Sequence, residues 1–416
     1  MKTPFRRSAI LTLLVLSAAA PFFTGCEEEA AESIYDPSAP SAPAPVITSV
    51  TVEGGGGLLS GVSVVVIDGS NFSADTSKVI VFFDAVRASV LSSTLTQVRV
   101  KAPVLVKDSV RIRVSVQGAE SFSAVQFANL SAAVATFGGF TAFEEAYGIA
   151  CDQAGNVYAG MLSNGLGIGL RKFTPAGDTS TYSPKGLGID VWSALKMGPG
   201  GVIYACRNQR AMYTITAGNP PVLFVAGAST AKYYDLDFDK SMNIWTGGAD
   251  TNVYRIKPDK TTKAFSFRKN ANVRSVRVYN DHLYVGGIVD STEGVWRAPI
   301  DGAGELGAFT KYFDLTAQPG YGYNGPGVYA VTFNTAGEMY VGTNGPDGLL
   351  VVAPNAASWQ AYYPGLFVAG SQHLLFAWGD GGNLYVTRRG NGITTNTLLK
   401  VNTQKSSAPY YGRGDL

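Results

Sequence analysis

The chain has 416 residues, with 33 Lys plus Arg against 31 Asp plus Glu and 46% hydrophobic residues. Lys2, Arg6 and Arg7 fall in the first 25 positions, which hold no acid, so the remainder is formally −1. That balance lacks the basic footprint of a nucleic-acid binder, and no nucleic-acid partner is expected.

A positive start, an apolar run from Ala9 to about Ala20 and small residues near its end mark residues 1–25 as a secretory signal peptide. The run is too short to cross ~30 Å of hydrocarbon as a permanent helix. Phe23-Thr24-Gly25-Cys26 then resembles a bacterial lipobox, with Phe23 standing where that family usually has leucine. The resemblance implies a lipoprotein signal peptide, acylation at Cys26 and the membrane as a partner through the lipid anchor. Glu27, Glu28 and Glu29 are similar to the export signal of surface lipoproteins in Bacteroidetes-type bacteria. That implies the bacterial outer membrane with the body facing outward; a plain charged spacer on the periplasmic face is the other reading. Residues 26–45 continue as a tether rich in Pro, Ala and Ser, stiff and extended at ~3.1 Å per residue. Beyond Cys26 only Cys151 and Cys206 remain. An oxidising compartment permits a disulfide between them, and two buried thiols are the favoured alternative.

Residues 46–131 read as short β-rich runs separated by turns. In "VRIRVSVQG", Val110, Ile112, Val114 and Val116 share one face, with Arg111, Arg113, Ser115 and Gln117 on the other. Several such strands at about ten-residue spacing predict an immunoglobulin-like β-sandwich. Pro45-Val46-Ile47, Gly69-Ser70-Asn71-Phe72 and the runs Val79 to Phe83, Val98 to Pro103 and Val110 to Val116 resemble an IPT/TIG domain. The resemblance implies a spacer or interaction module, with Gly69 at a sharp turn and Phe72 plugging the core end.

From residue 132 to 416 one pattern recurs six times: an apolar strand, a Gly/Asn/Asp turn, then a strand with an early aromatic. That aromatic is Tyr158, Tyr204, Trp245, Tyr284, Tyr340 or Tyr385. Repeats of about 40 to 50 residues with four strands each and no helical period predict a six-bladed β-propeller. The whole chain is therefore expected to be all-β. The propeller region is similar to NHL-repeat propellers. Either Val134 to Phe140 or the segment "SAPYYG" (Ser407 to Gly412) supplies the outer strand of the sixth blade. The aromatic series itself is read as blade packing.

In propellers of this kind, binding occurs at the face where the innermost strands begin, on loops carried by a rigid scaffold. The loops before the first strands contain Glu144, Glu145, Tyr147, Asp190, Trp192, Tyr233, Tyr234, Asp235 and Arg274. They continue with Tyr321, Tyr323, Asn324 and Tyr329 of "QPGYGYNGPGVY", and with His373. Loops between the second and third strands add Arg207, Arg210, Asp250, Asp290, Asp347, Arg388 and Arg389. Aromatic faces pack on the CH faces of sugars while polar groups hold the hydroxyls, so a glycan or another extracellular polymer is the expected ligand. End-capping aromatics are the bland alternative. The long insert before the fifth blade is expected to explain the 56-residue spacing there.

Aligning the repeats places Ala150, Lys196, Asp237, Arg277, Thr332 and Ala377 at one equivalent position. Charges of both signs meeting near the channel must pair, which predicts a Lys196–Asp237–Arg277 network. No cofactor is expected. Three-histidine zinc sites are excluded because His282 and His373 are the only histidines. Calcium stays open through Glu144 or Glu145, Asn324 and Asp235. The expected function is a tethered surface-binding lipoprotein, more a binder than an enzyme. A carboxylate-metal hydrolase or lyase, and a scaffold for a surface protein, are the alternatives. Arg413-Gly414-Asp415 is an adhesion tripeptide of the kind chance supplies.

Overall fold

The computed structural model describes residues 41–186, 188, 191–322, 325–390 and 393–415. The signal peptide, Cys26, the acidic cluster, most of the tether, Asp190, Tyr323 and Asn324 lie outside the described residues. Among the described residues the elements are strands, apart from three 3-10 turns of three residues each. No described helix is long and apolar enough to cross a membrane.

Alternation builds the sandwich. Val110, Ile112 and Val114 are 0% exposed, while Arg111 between them is exposed. Their strand, Lys107–Val116, lies between Val79–Phe83 and Gln126–Leu130, with Val86–Arg87 at the edge. The second sheet runs Val46–Val52, Val64–Ser70, Gln97–Lys101, Ser89–Ser93. Val65, Ile67, Val98 and Val100 of that sheet share one core with Val81, Phe83 and Ile112 of the first. Each such side chain contributes about 1.5–3 kcal/mol on burial. The turn expected at Gly69 falls instead at Asn71, whose φ is 61°. Gly69 stays extended, and its role is close approach: a Cβ there would sit 1.8 Å from the Val46 carbonyl oxygen. Phe72 does close the core end, at 4% exposure.

Six four-stranded antiparallel sheets follow and form the propeller. Blade 1 runs Glu144–Cys151, Val157–Ser163, Leu166–Phe173, Thr179–Ser183. The innermost strands of blades 2 to 5 are Ala194–Met197, Asp235–Phe238, Ala271–Tyr279 and Val328–Phe333. Blade 6 uses Gln372–Trp378, Asn383–Gly390 and Ile393–Asn402, then borrows Val134–Phe137 as its outer strand. Val134 pairs with Val401 and Phe137 with Leu398, so the ring is closed by a strand that precedes blade 1.

Turn and aromatic act together in blades 1 and 3. Asp152 accepts from the Asn156 amide N–H at 2.8 Å and from the Tyr158 hydroxyl at 2.9 Å. Asp239 does the same for Asn243 at 3.0 Å and for the Trp245 indole N–H at 2.9 Å. A large apolar ring is thereby buried with its polar tip satisfied. The 56-residue spacing has two sources. One is the loop before Val328; the other is residues 300–309, which extend the link from Thr292–Pro299 to Thr310–Asp314 within blade 4. Cys151 and Cys206 are buried free thiols, and burial pushes Cys151 up to about 12.

Segment 406–415 does not compete for the sixth blade. It crosses one end of the central channel. Ala408 N–H donates to Phe333 of blade 5 at 3.0 Å, and Arg277 of blade 4 donates to the Pro409 carbonyl at 2.8 Å. Arg413 reaches the Trp378 carbonyl of blade 6 at 2.5 Å, and Gln153 of blade 1 reaches that of Gly414 at 2.7 Å. A Cβ on Gly412 would touch Met197 and Phe238, from blades 2 and 3. Arg413 and Asp415 pair with each other at 2.5 Å with side chains only 8% and 14% exposed, so the tripeptide is folded inward.

Candidate binding site at the channel mouth

The opposite end of the channel opens into a cavity of about 320 Å³. Each blade contributes one equivalent residue to its wall: Tyr147, Ser193, Tyr234, Arg274, Tyr329 and Leu374. Each stands three residues before the aligned position occupied by Ala150, Lys196, Asp237, Arg277, Thr332 or Ala377. In a regular strand, residues three apart face opposite ways. The strands solve this with an extra residue. The pairing register slips between Ala146 and Ile149, Val273 and Ser275, Val328 and Ala330, and His373 and Leu375. Arg274, Tyr329 and Leu374 are the residues skipped in three of those slips, and Tyr147 lies within the fourth. Such bulges re-aim side chains at the rims of closed sheets.

The mouth tyrosines are held from behind. Arg274 forms a two-pronged pair with Glu293, at 2.8 and 3.1 Å, and donates to the Val328 carbonyl at 3.0 Å. Its guanidinium lies 5.0 Å from the Tyr329 ring centroid, and the Tyr329 hydroxyl accepts from Gln372 at 3.2 Å. Burial pushes the Tyr234 and Tyr329 hydroxyls above the usual phenol range, so both stay neutral donors. Trp192 forms a wall of the cavity at 1% exposure, edge-on to Tyr213. Its indole N–H and the Thr387 hydroxyl, which also lines the cavity, have no hydrogen-bond partner among the described residues.

Other sequence candidates are committed to the fold. Glu144 pairs with Arg171 at 2.5 Å, which holds its carboxyl below the usual range. Glu145 accepts from the Tyr147 hydroxyl at 3.4 Å, just behind the mouth. Tyr233 and Tyr321 are buried and pack against Tyr254 and Trp359. His373 is 0% exposed, packs against Phe367, and shares a hydrogen bond through Nδ1 with the Thr343 carbonyl at 3.0 Å. It faces the blade interior, while its neighbour Leu374 reaches the mouth. Asp235 is also buried, accepting from Val276 N–H at 2.8 Å and Ser275 at 3.2 Å. Glu144 and Asp235, two of the calcium candidates, are thus engaged elsewhere. Among the described residues no three His, Cys, Asp or Glu side chains gather into a metal-holding group.

The far end of the channel holds the charges. Arg277 and Asp237 form a fully buried pair at 2.7 Å. Lys196 makes no ion pair with Asp237; its ammonium lies 5.6 Å from the Tyr410 ring centroid. Burial works against the Lys196 charge, but Asp235 and Tyr410 outweigh it and hold the ammonium charged.

Solved structures share this fold. One described as a phosphatase from Bacteroides thetaiotaomicron matches at TM-score 0.54 and 13% identity, over 88% of this chain and 98% of its own. An auxiliary nutrient binding protein from the same organism matches at 0.51 and 13%, again over 88% and 98%. A gluconolactonase from Xanthomonas campestris matches at 0.48 and 15%, over 64% and 88%. No curated protein matches the chain. A family match covers the sandwich alone: residues 45–128 match the IPT/TIG domain.

Proposed function

We propose that this chain is a lipid-anchored binding protein of the outer membrane, facing outward, whose propeller mouth takes a saccharide unit of an extracellular glycan. The observation that carries this reading is the convergence of six equivalent positions on one cavity, three of them tyrosines. At about 320 Å³ the cavity falls in the ~300–1,000 Å³ range of small-ligand sites. Tyr147, Tyr234 and Tyr329 offer rigid rings for the apolar faces of a sugar. Asn208, Asn272, Gln372 and Thr387 offer donors and acceptors for its hydroxyls. Among the described residues no carboxylate lines the cavity, which supports recognition over acid–base chemistry. A protein described as nutrient-binding uses the same fold, which is compatible with this reading.

The test is retention of the full chain on a panel of immobilised polysaccharides, beside Tyr234→Ala and Tyr329→Ala. Loss of one anchoring ring is expected to weaken retention about tenfold or more. Retention of no polysaccharide, or equal retention of parent and variants, overturns the mouth as a glycan site. For the anchor, Cys26→Ala is expected to move the protein from the membrane fraction to the soluble one. Unchanged membrane association refutes that part.

A further inference from the structure

The charges around the mouth do not balance. Among the described residues its wall carries two guanidinium groups, Arg274 and Arg389, and no carboxylate or histidine. Arg274 is neutralised by its two-pronged pair with Glu293. Arg389 is exposed, and its side chain forms no ion pair and no hydrogen bond among the described residues. It stands opposite Gln372, another lining residue, in the regular pairing of the first and second strands of blade 6.

The layer beneath adds no compensating field. There Arg277 pairs with Asp237, and Lys196 faces Asp235, whose carboxyl burial pushes above its usual range. The Asp235 carboxylate is consumed by the backbone N–H groups of Leu236 and Val276 and by Ser275. Glu145, behind the rim, takes the Tyr147 hydroxyl. Arg389 is therefore the guanidinium among the described lining residues that has no carboxylate partner, and it lines the same cavity as Tyr234. A ring stacked at Tyr234 would bring its substituents to that guanidinium.

We propose that the saccharide unit held at the mouth is anionic, and that Arg389 pairs with its charged group. The proposal rests on the mouth being a glycan site. A guanidinium offers a planar fork of donors to a carboxylate or a sulfate, where a neutral hydroxyl would leave the charge uncompensated.

The test is calorimetric titration of the full chain at low salt with three oligosaccharides of similar length. One carries uronic acids, one carries sulfate esters and one is a neutral glucan. At least one acidic probe is expected to bind about ten- to a hundredfold more tightly than the glucan, the range of a charge-assisted hydrogen bond. Which acidic probe wins identifies the anionic group. Arg389→Gln is expected to abolish the preference for the acidic probe over the glucan, and Arg389→Lys to retain part of it. If acidic and neutral probes bind the parent equally, or Arg389→Gln keeps the preference, the charge proposal is overturned. In that case, binding that is still lost in Tyr234→Ala leaves the mouth reading standing. If none of the probes binds the parent, the charge proposal is overturned, and failure of the polysaccharide panel as well overturns the mouth reading beneath it.

Discussion

Replacing Arg277 by Met is expected to destabilise the propeller by about 4 kcal/mol. The guanidinium is 0% exposed and donates to Asp237 at 2.7 Å, the Val278 carbonyl at 2.8 Å, Ala408 at 3.2 Å and Pro409 at 2.8 Å. It also lies 3.7 Å from the Tyr410 ring centroid. Burial opposes its charge, but Asp237 and Tyr410 outweigh burial and hold it above its ordinary value. Methionine keeps the apolar stem and removes the charge. Asp237 then retains the backbone N–H groups of Phe238 and Val278 but has no cation. Breaking a buried pair from one side typically costs about 3–5 kcal/mol. Asp237→Asn should be similarly harmful, and the double variant should cost well under the sum of the two, since no unpaired charge survives in it. All five tryptophans lie in the propeller, so denaturant unfolding followed by tryptophan fluorescence reports this body alone. A cost under about 1 kcal/mol for Arg277→Met, or strict additivity in the double variant, refutes the reasoning.

His373 gives a pH signature. Burial pushes its imidazole down to about 4, against about 6.5 in an unfolded chain, so the unfolded state takes the proton first. Its stabilising share is complete above pH 6.5 and is lost as pH falls toward 4, by about 3 kcal/mol in all. The difference in stability between the parent and His373→Gln should shrink over that window, and a constant difference would show that the histidine is not held neutral. At Gly160 a Cβ would stand 2.6 Å from Trp192 Cδ1. Gly160→Ala is therefore expected to cost about 1–3 kcal/mol and to weaken saccharide retention by displacing a wall of the cavity. Unchanged stability and binding would mean that Trp192 has room to move.

The blades were legible because their signal is redundant. An apolar strand, a polar turn and a ring that packs over it recur together, and the aligned position two before the turn sits opposite that ring in every blade, from Ala150 with Tyr158 to Ala377 with Tyr385. The mouth was legible only in part. Tyr147, Tyr234, Arg274 and Tyr329 were found, whereas Ser193 and Leu374 were passed over for their neighbours Trp192 and His373. Trp192 still forms a wall. His373 turns into the blade, because the extra residue that brings Leu374 to the channel inverts the facing of what precedes it. Alternation of apolar residues carries no mark of such a slip. The alignment did carry one: counting back three from the charged layer recovers all six mouth positions. Tyr233 and Tyr321 were misleading for another reason, since a buried ring and a binding ring have the same composition and differ only in which side of the sheet they meet.

The two ends of the channel are therefore built for opposite purposes from the same repeat position. At the charged end, segment 406–415 fills the bore with Tyr410, whose hydroxyl bonds Thr332 at 2.8 Å and whose ring lies beneath Arg277. The space left around it is about 20 Å³, room for a water and nothing larger. At the other end the bulged strands splay their side chains around an open cavity. With one end stoppered, nothing threads the propeller. A polymer engaged at the mouth lies across it, or presents an end or a branch, and enters and leaves by the same side. On the proposed glycan reading that geometry favours engaging one unit at a time, which would give a single cation such as Arg389 weight in selecting it.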